Sequence, residues 1–141
     1  MDSTRERGVE KKGETKHRGL AFQVADVKKL LLAVKRTMEK GSHVTFGPGP
    51  EDNYITNKST GDKMMLQENG KGSYLMQVTF VGGESTTITV DSGAEENVCP
   101  WDRGRELFGT RGANKWMSFR SATGAPIEHW GARDIKVVSL S

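Results

Sequence analysis

The chain is poor in the features that would place it in several common classes. Its single cysteine, Cys99, leaves no partner for an internal disulfide and no thiolate pair for a structural zinc. No apolar run exceeds the five residues Leu30–Val34, far short of the roughly 20 needed to cross a bilayer. The opening MDSTRERGVEKK has no apolar stretch of the kind a secretory signal carries. Only 34% of the 141 residues are hydrophobic and 7% aromatic, which allows one small core. These absences lead to the expectation of a soluble, cytoplasmic chain that sits on no membrane. Glycine is the exception at 17 residues, pointing to many tight turns rather than long helices.

The net charge of +3 carries less than its sign suggests. Six Lys/Arg and four Asp/Glu fall in residues 1–18, so the remaining 123 residues are nearly neutral. Met1 and Val9 are the only apolar residues of that leader, too few to offset the entropy of ordering it. Residues 1–18 are therefore expected to be a disordered, charged leader, and residues 19–141 one domain. Its mixed signs suit a solvated tail, and nucleic acid is not an expected partner.

From Gly19 the pattern changes. Gly19–Ala25 alternates as a short strand does. Asp26 stands as an N-cap before Val27, Leu30, Leu31, Val34 and Met38, and Gly41 follows as a C-terminal stop, which predicts a helix over Asp26–Lys40. Everything after it reads as β. Strands are expected at Ser42–Phe46, Asn53–Asn57, Lys63–Gln67, Ser73–Phe80 and Ser85–Val90, with Asn69-Gly70 as a hairpin turn. Trp116–Arg120 and Pro126–Trp130 flank the small residues Ser121–Ala125, and Ile135–Leu140 forms a last strand. The expected fold is mainly β with one short helix, a small closed barrel or sandwich.

The chemistry concentrates at Asp91-Ser92-Gly93-Ala94. Thr86–Val90 is a run of β-branched residues that ends on a carboxylate, and Gly93 permits a sharp turn behind it. One carboxylate becomes catalytic when a second faces it: the two cannot both ionise, so one serves as base and the other as acid on a bridging water. Alone, Asp-Ser-Gly is also an ordinary turn or, in a disordered setting, a phosphodegron; the strand before it argues for an ordered site. Cys99, followed by Pro100, is a weaker nucleophile candidate with His43 or His129 and reads better as a small buried hydrophobe. His17, His43 and His129 lack ligand spacing, so neither a metal nor another cofactor is expected. Trp101, Trp116 and Trp130 are expected in the core or a substrate cleft.

Tyr74–Ala94, YLMQVTFVGGESTTITVDSGA, resembles the start of a retroviral-type aspartic protease, a retropepsin, closest to retrotransposon and DNA-damage-inducible-type members. Trp116–Gly131 is similar to that family's flap hairpin, and Ile135–Leu140 to the strand after it. The remaining family elements stand in front: Phe22-Gln23-Val24 resembles a strand, Leu31–Lys40 the short helix and Gly41–Phe46 the strand that follows. The resemblance thus implies a circularly permuted retropepsin-like domain, its old termini joined through residues 47–73. It further implies an aspartic endopeptidase acting as a homodimer on extended peptide or polyprotein segments. Asp91 from each copy would activate the water, Ser92 would brace the loop across the two-fold axis, and Gly93 would meet the substrate backbone. Ala94, Glu95, Glu96 and the flap residues Ser121, Ala122, Thr123, Gly124 and Ala125 would bind substrate. The alternative is an inactive module of the same fold that dimerises or holds peptides. Ala33 stands where the family has Gly, and Val34 where an Arg often follows, so the usual ion pair to Glu95 or Glu96 is expected to be missing. With the old termini joined, the dimer sheet is expected from Ser42–Asn57 or from Lys63–Gln77, the second favoured by its alternation.

Overall fold

A computed structural model of the chain describes residues 17–112, 119, 120, 124 and 126–139. The domain is mainly β. A seven-stranded sheet has the order β12-β1-β9-β2-β8-β7-β6, and β12 also pairs with β7, so the sheet curls until its first strand returns against its sixth. These strands are β1 (His17–Ala25), β2 (Leu31–Ala33), β6 (Gln67–Glu68), β7 (Tyr74–Phe80), β8 (Ser85–Asp91), β9 (Val98–Cys99) and β12 (His129–Ser139). A three-stranded sheet joins β3 (Ser42–Thr45), β4 (Tyr54–Asn57) and β5 (Lys63–Met65) in that order, and β10 (Phe119–Arg120) pairs with β11 (Pro126–Ile127). Among the described residues no helix is long and apolar enough to cross a membrane.

The ends of the sequence-predicted elements shift for physical reasons. β1 begins at His17, inside the stretch read as leader, because His17 and Arg18 pair with Val138 and Val137 of β12. Residues 1–16 lie outside the described residues. The helix expected over Asp26–Lys40 is instead the strand β2 followed by a six-residue helix, α1 (Val34–Glu39). No helix starts at Asp26, whose backbone N–H instead donates to the Glu128 carbonyl at 2.9 Å. Leu30–Val34 is an apolar run because Leu32 and Ala33 lie in the interior of the sheet, and a strand covered on both faces carries no polar alternation.

The Lys63–Gln67 strand likewise divides. β5 pairs with β4, Leu66 turns inward with its N–H on the Asn53 carbonyl at 2.9 Å, and β6 pairs with β7. The Asn69-Gly70 turn forms, with Asn69 Oδ1 accepting from the N–H groups of Lys71 and Ser73. Phe22, Leu30, Leu32, Met76, Val78, Ile88 and Ile135 form the centre of the core, and Ile55, Met64 and Leu66 extend it beneath the small sheet.

Candidate functional site

Asp91 is the last residue of β8, and the ladder on each side fixes its position. β7 pairs antiparallel with β8 from Thr79↔Ser85 to Tyr74↔Val90. On the other side β2 runs parallel to β8, with Leu31↔Thr89, Leu32↔Val90 and Ala33↔Asp91 in register. The β-branched run Thr86–Val90 thus becomes a central strand that delivers the carboxylate to its end. Asp91 is half-buried, while Ser92 and Gly93 are exposed on the turn beyond it. Its Oδ1 accepts the Gly93 N–H at 2.8 Å, and among the described residues Oδ2 has no hydrogen-bond donor. A cleft of about 370 Å³ opens here, lined by Asp91 and Ser92 together with Lys29, Leu31, Phe46 and Tyr74. The rings of Phe46 and Tyr74 pack at 4.4 Å on its wall.

The loop after the turn is braced from α1. The Arg36 guanidinium pairs with the Glu96 carboxylate and donates to the Glu95 carbonyl oxygen at 3.1 Å. It also reaches Glu39 at 2.8 Å on its own helix. Hydrogen bonds to Glu96 and Glu39 push the Arg36 pKa above its ordinary value. The ion pair expected to be missing for want of an Arg at position 34 is therefore present, supplied two residues later by Arg36. Glu95 lies 3.5 Å from Lys35 on the surface, and Ala94 is half-buried. Of the expected substrate-binding carboxylates, Glu96 faces the helix rather than the cleft.

Asn97 closes the loop, a role its sequence context does not announce. Its side-chain Oδ1 accepts the Ala33 N–H at 2.7 Å and its Nδ2 donates to the Ala21 carbonyl at 3.0 Å. Its backbone carbonyl accepts the Gln23 N–H at 2.8 Å.

The hairpin expected around residues 121–125 is present in part. Phe119↔Ile127 and Arg120↔Pro126 pair antiparallel, and Gly124 is exposed with φ +90°. Ser121, Ala122, Thr123 and Ala125 lie outside the described residues, as does 113–118. The second arm is shorter than expected, because His129 and Trp130 belong to β12, where His129 pairs with Ala25. The described hairpin residues are not among those lining the Asp91 cleft.

Cys99 is fully buried on β9 beside Val24, and burial pushes its thiol up to about 11. That environment disfavours the thiolate a nucleophile needs. Trp101 and Trp130 fill neither core nor the Asp91 cleft. They are 40% and 38% exposed and meet edge-on, ring centroids 5.7 Å apart. Arg133 is the second residue that sequence reasoning missed. Its side chain is fully buried, with the guanidinium donating to the carbonyls of Arg103 at 2.7 Å, Trp101 at 3.0 Å and Pro100 at 3.4 Å, and to Thr110 Oγ1 at 2.7 Å. It ties the Pro100–Thr110 loop to β12. An arginine in a strand gives no sequence signal of burial. Among the described residues, no three His, Cys, Asp or Glu side chains gather as metal ligands. No family model, curated protein or solved structure matches the chain.

Proposed function

We propose that the chain is a circularly permuted aspartic endopeptidase of the retropepsin type, working as a homodimer on extended peptide or polyprotein segments. One observation carries this: Leu31-Leu32-Ala33 lies parallel and in register against Thr89-Val90-Asp91, although Asp91 stands 58 positions after Ala33 in sequence. Both lie within stretches, Leu31–Lys40 and Tyr74–Ala94, whose likeness to the family contributed to the permuted reading. The Arg36–Glu96 brace adds support, since it restores the contact that the family's arginine makes.

The chemistry follows from two Asp91 carboxylates holding one proton between them. The ionised one takes a proton from the bridging water as its oxygen attacks the peptide carbonyl, and the protonated one donates to the carbonyl oxygen. Proton transfer to the amide nitrogen then releases the two products. Among the described residues nothing donates to Oδ2, which leaves the carboxylate open to this partner. Each chain has one such carboxylate, so a second copy must supply the other.

The three-stranded sheet offers the surface for it. β3 is an edge strand, and Phe46, the residue that follows it, lines the Asp91 cleft and is 41% exposed. Antiparallel pairing of β3 with its symmetry mate would continue the sheet about a two-fold axis. The Lys63–Gln77 segment favoured by its alternation is divided between two sheets, which leaves the Ser42–Asn57 hairpin for this role. The test is cleavage of a mixed peptide library at acidic pH by the wild type and by Asp91→Asn. Cleavage by the wild type alone is expected; equal cleavage by Asp91→Asn, or none by either, rejects the assignment.

A further inference from the structure

β9 lies between β1 and β2 in the large sheet yet contains only Val98 and Cys99. Its neighbours run on past it: β1 continues through Ala21, and β2 continues to Ala33, the register partner of Asp91. Where β9 is missing, Ala33 would leave a buried N–H without an acceptor and Ala21 a carbonyl without a donor. The Asn97 carboxamide occupies that gap. It accepts from Ala33 on β2 at 2.7 Å and donates to Ala21 on β1 at 3.0 Å, just as a backbone peptide group of a longer β9 would. Its own main-chain carbonyl meanwhile bonds Gln23 of β1. One side chain thus substitutes for a rung of the sheet at the point where the loop from Asp91 returns to it. Ala33 is fully buried, so its N–H has no water to turn to.

We infer that Asn97 is a positioning residue for Asp91: it holds β2, and through the Ala33–Asp91 register the carboxylate, at the geometry that two-copy catalysis requires. This rests on the aspartic peptidase assignment. Both faces of the carboxamide are used, so neither an acceptor alone nor a donor alone replaces it. Misplacement of a reacting group by about 1 Å costs on the order of 100-fold in rate, so loss of this rung should appear in kcat rather than in peptide affinity.

Two substitutions test it. Asn97→Ala removes both bonds. Asn97→Asp keeps the shape, and below its pKa, ordinarily near ~4, the protonated carboxyl can accept from Ala33 and donate to Ala21 as asparagine does. The titratable and charged groups on the elements around it are Lys35, Arg36 and Glu39 of α1 with Lys40 just past its end, His17 and Arg18 on β1, Asp91 at the end of β8, and Glu95 and Glu96 on the loop. Steady-state kinetics of the full chain are measured from pH 3.5 to 7, with the folded fraction followed by circular dichroism in each assay. The expected result for folded Asn97→Ala is a fall in kcat of about 10- to 100-fold, with KM within about twofold. For Asn97→Asp, the ratio of its kcat to that of the wild type should rise towards one as the pH falls, at constant folded fraction. Should Asn97→Ala not fold, Asn97→Asp gives the comparison within one protein. An active wild type with folded variants of unchanged kcat, or an Asn97→Asp ratio that does not change with pH, overturns the role of Asn97 and leaves the peptidase assignment standing. An inactive wild type overturns both.

Discussion

Replacing Arg133 with methionine should loosen one specific part of the molecule. The guanidinium is fully buried and, among the described residues, pairs with no carboxylate; it donates to the carbonyls of Pro100, Trp101 and Arg103 and to the Thr110 hydroxyl, and lies beside the Cys99 thiol. Hydrogen bonds to a charged group contribute about 1.5–3 kcal/mol each, and four acceptors share this one. Against that stands the cost of burying a cation, which is several kcal/mol. Methionine removes both the cost and the bonds, and with them the guanidinium that sits over the Trp101 ring at 5.6 Å. The buried Pro100 carbonyl would keep only the Arg103 N–H at 3.3 Å, whereas the carbonyls of Trp101 and Arg103 would lose the guanidinium and can hydrate if the loop lifts. The expected net loss is about 3 kcal/mol, which at this chain length lowers Tm by roughly 10 °C. Thermal unfolding followed by circular dichroism gives the total, and amide exchange shows where it acts: protection should fall from Trp101 to Thr110 more than along β8. A loss below about 1 kcal/mol, or exchange that rises uniformly, would refute the view that Arg133 anchors this loop.

Other consequences can be checked separately. The raised Cys99 pKa has a definite sign: the unfolded thiol ionises near 9 while the folded one stays protonated to about 11, so this contribution is complete below pH 9 and is lost as pH rises through 11. Alkaline denaturation of Cys99→Val should therefore depend less on pH over that interval than that of the wild type, by up to about 2–3 kcal/mol, and equal slopes would contradict it. Gly131 has φ +134°, and a Cβ there would run into the Arg111 carbonyl oxygen, breaking the Arg111–Ala132 bridge; Gly131→Ala should cost about 1–3 kcal/mol in urea unfolding. The kcat/KM profile should be bell-shaped on the acidic side, reporting the two apparent pKa values of the carboxylate pair, and a profile rising steadily to pH 9 would argue against a shared proton.

Much of this architecture was legible where local signals and tertiary packing agreed. Thr86–Val90 announces a strand by β-branching, and Asn69-Gly70 marks a turn by its backbone preference; both form. The helical spacing of Leu30, Leu31, Val34 and Met38 misleads because the same residues satisfy a different demand. Leu32 and Ala33 alternate between the two faces of the sheet and both are buried, with β9 and β8 on either side in the sheet, and an apolar run of five fits a buried parallel strand as well as a helix face. Position 34 shows the limit of residue-by-residue matching: the ion pair to Glu96 comes from Arg36, which α1 turns back toward the loop. Asn97 and Arg133 were not legible, because their roles depend on which strands end beside them. A carboxamide replacing a sheet rung and a cation buried among carbonyls look, in sequence, like ordinary polar residues of a loop and a strand.

An active site that takes an Asp91 from each of two chains makes activity depend on how the chains are mixed. Wild type and Asp91→Asn are combined in varying proportion at constant total concentration, allowed to exchange subunits, and assayed for peptide cleavage. If both carboxylates are required, only pairs of two wild-type chains cut, and activity follows the square of the wild-type fraction. At equal proportions a quarter of the activity then remains. Activity linear in that fraction, with half remaining, would contradict a site built across two chains.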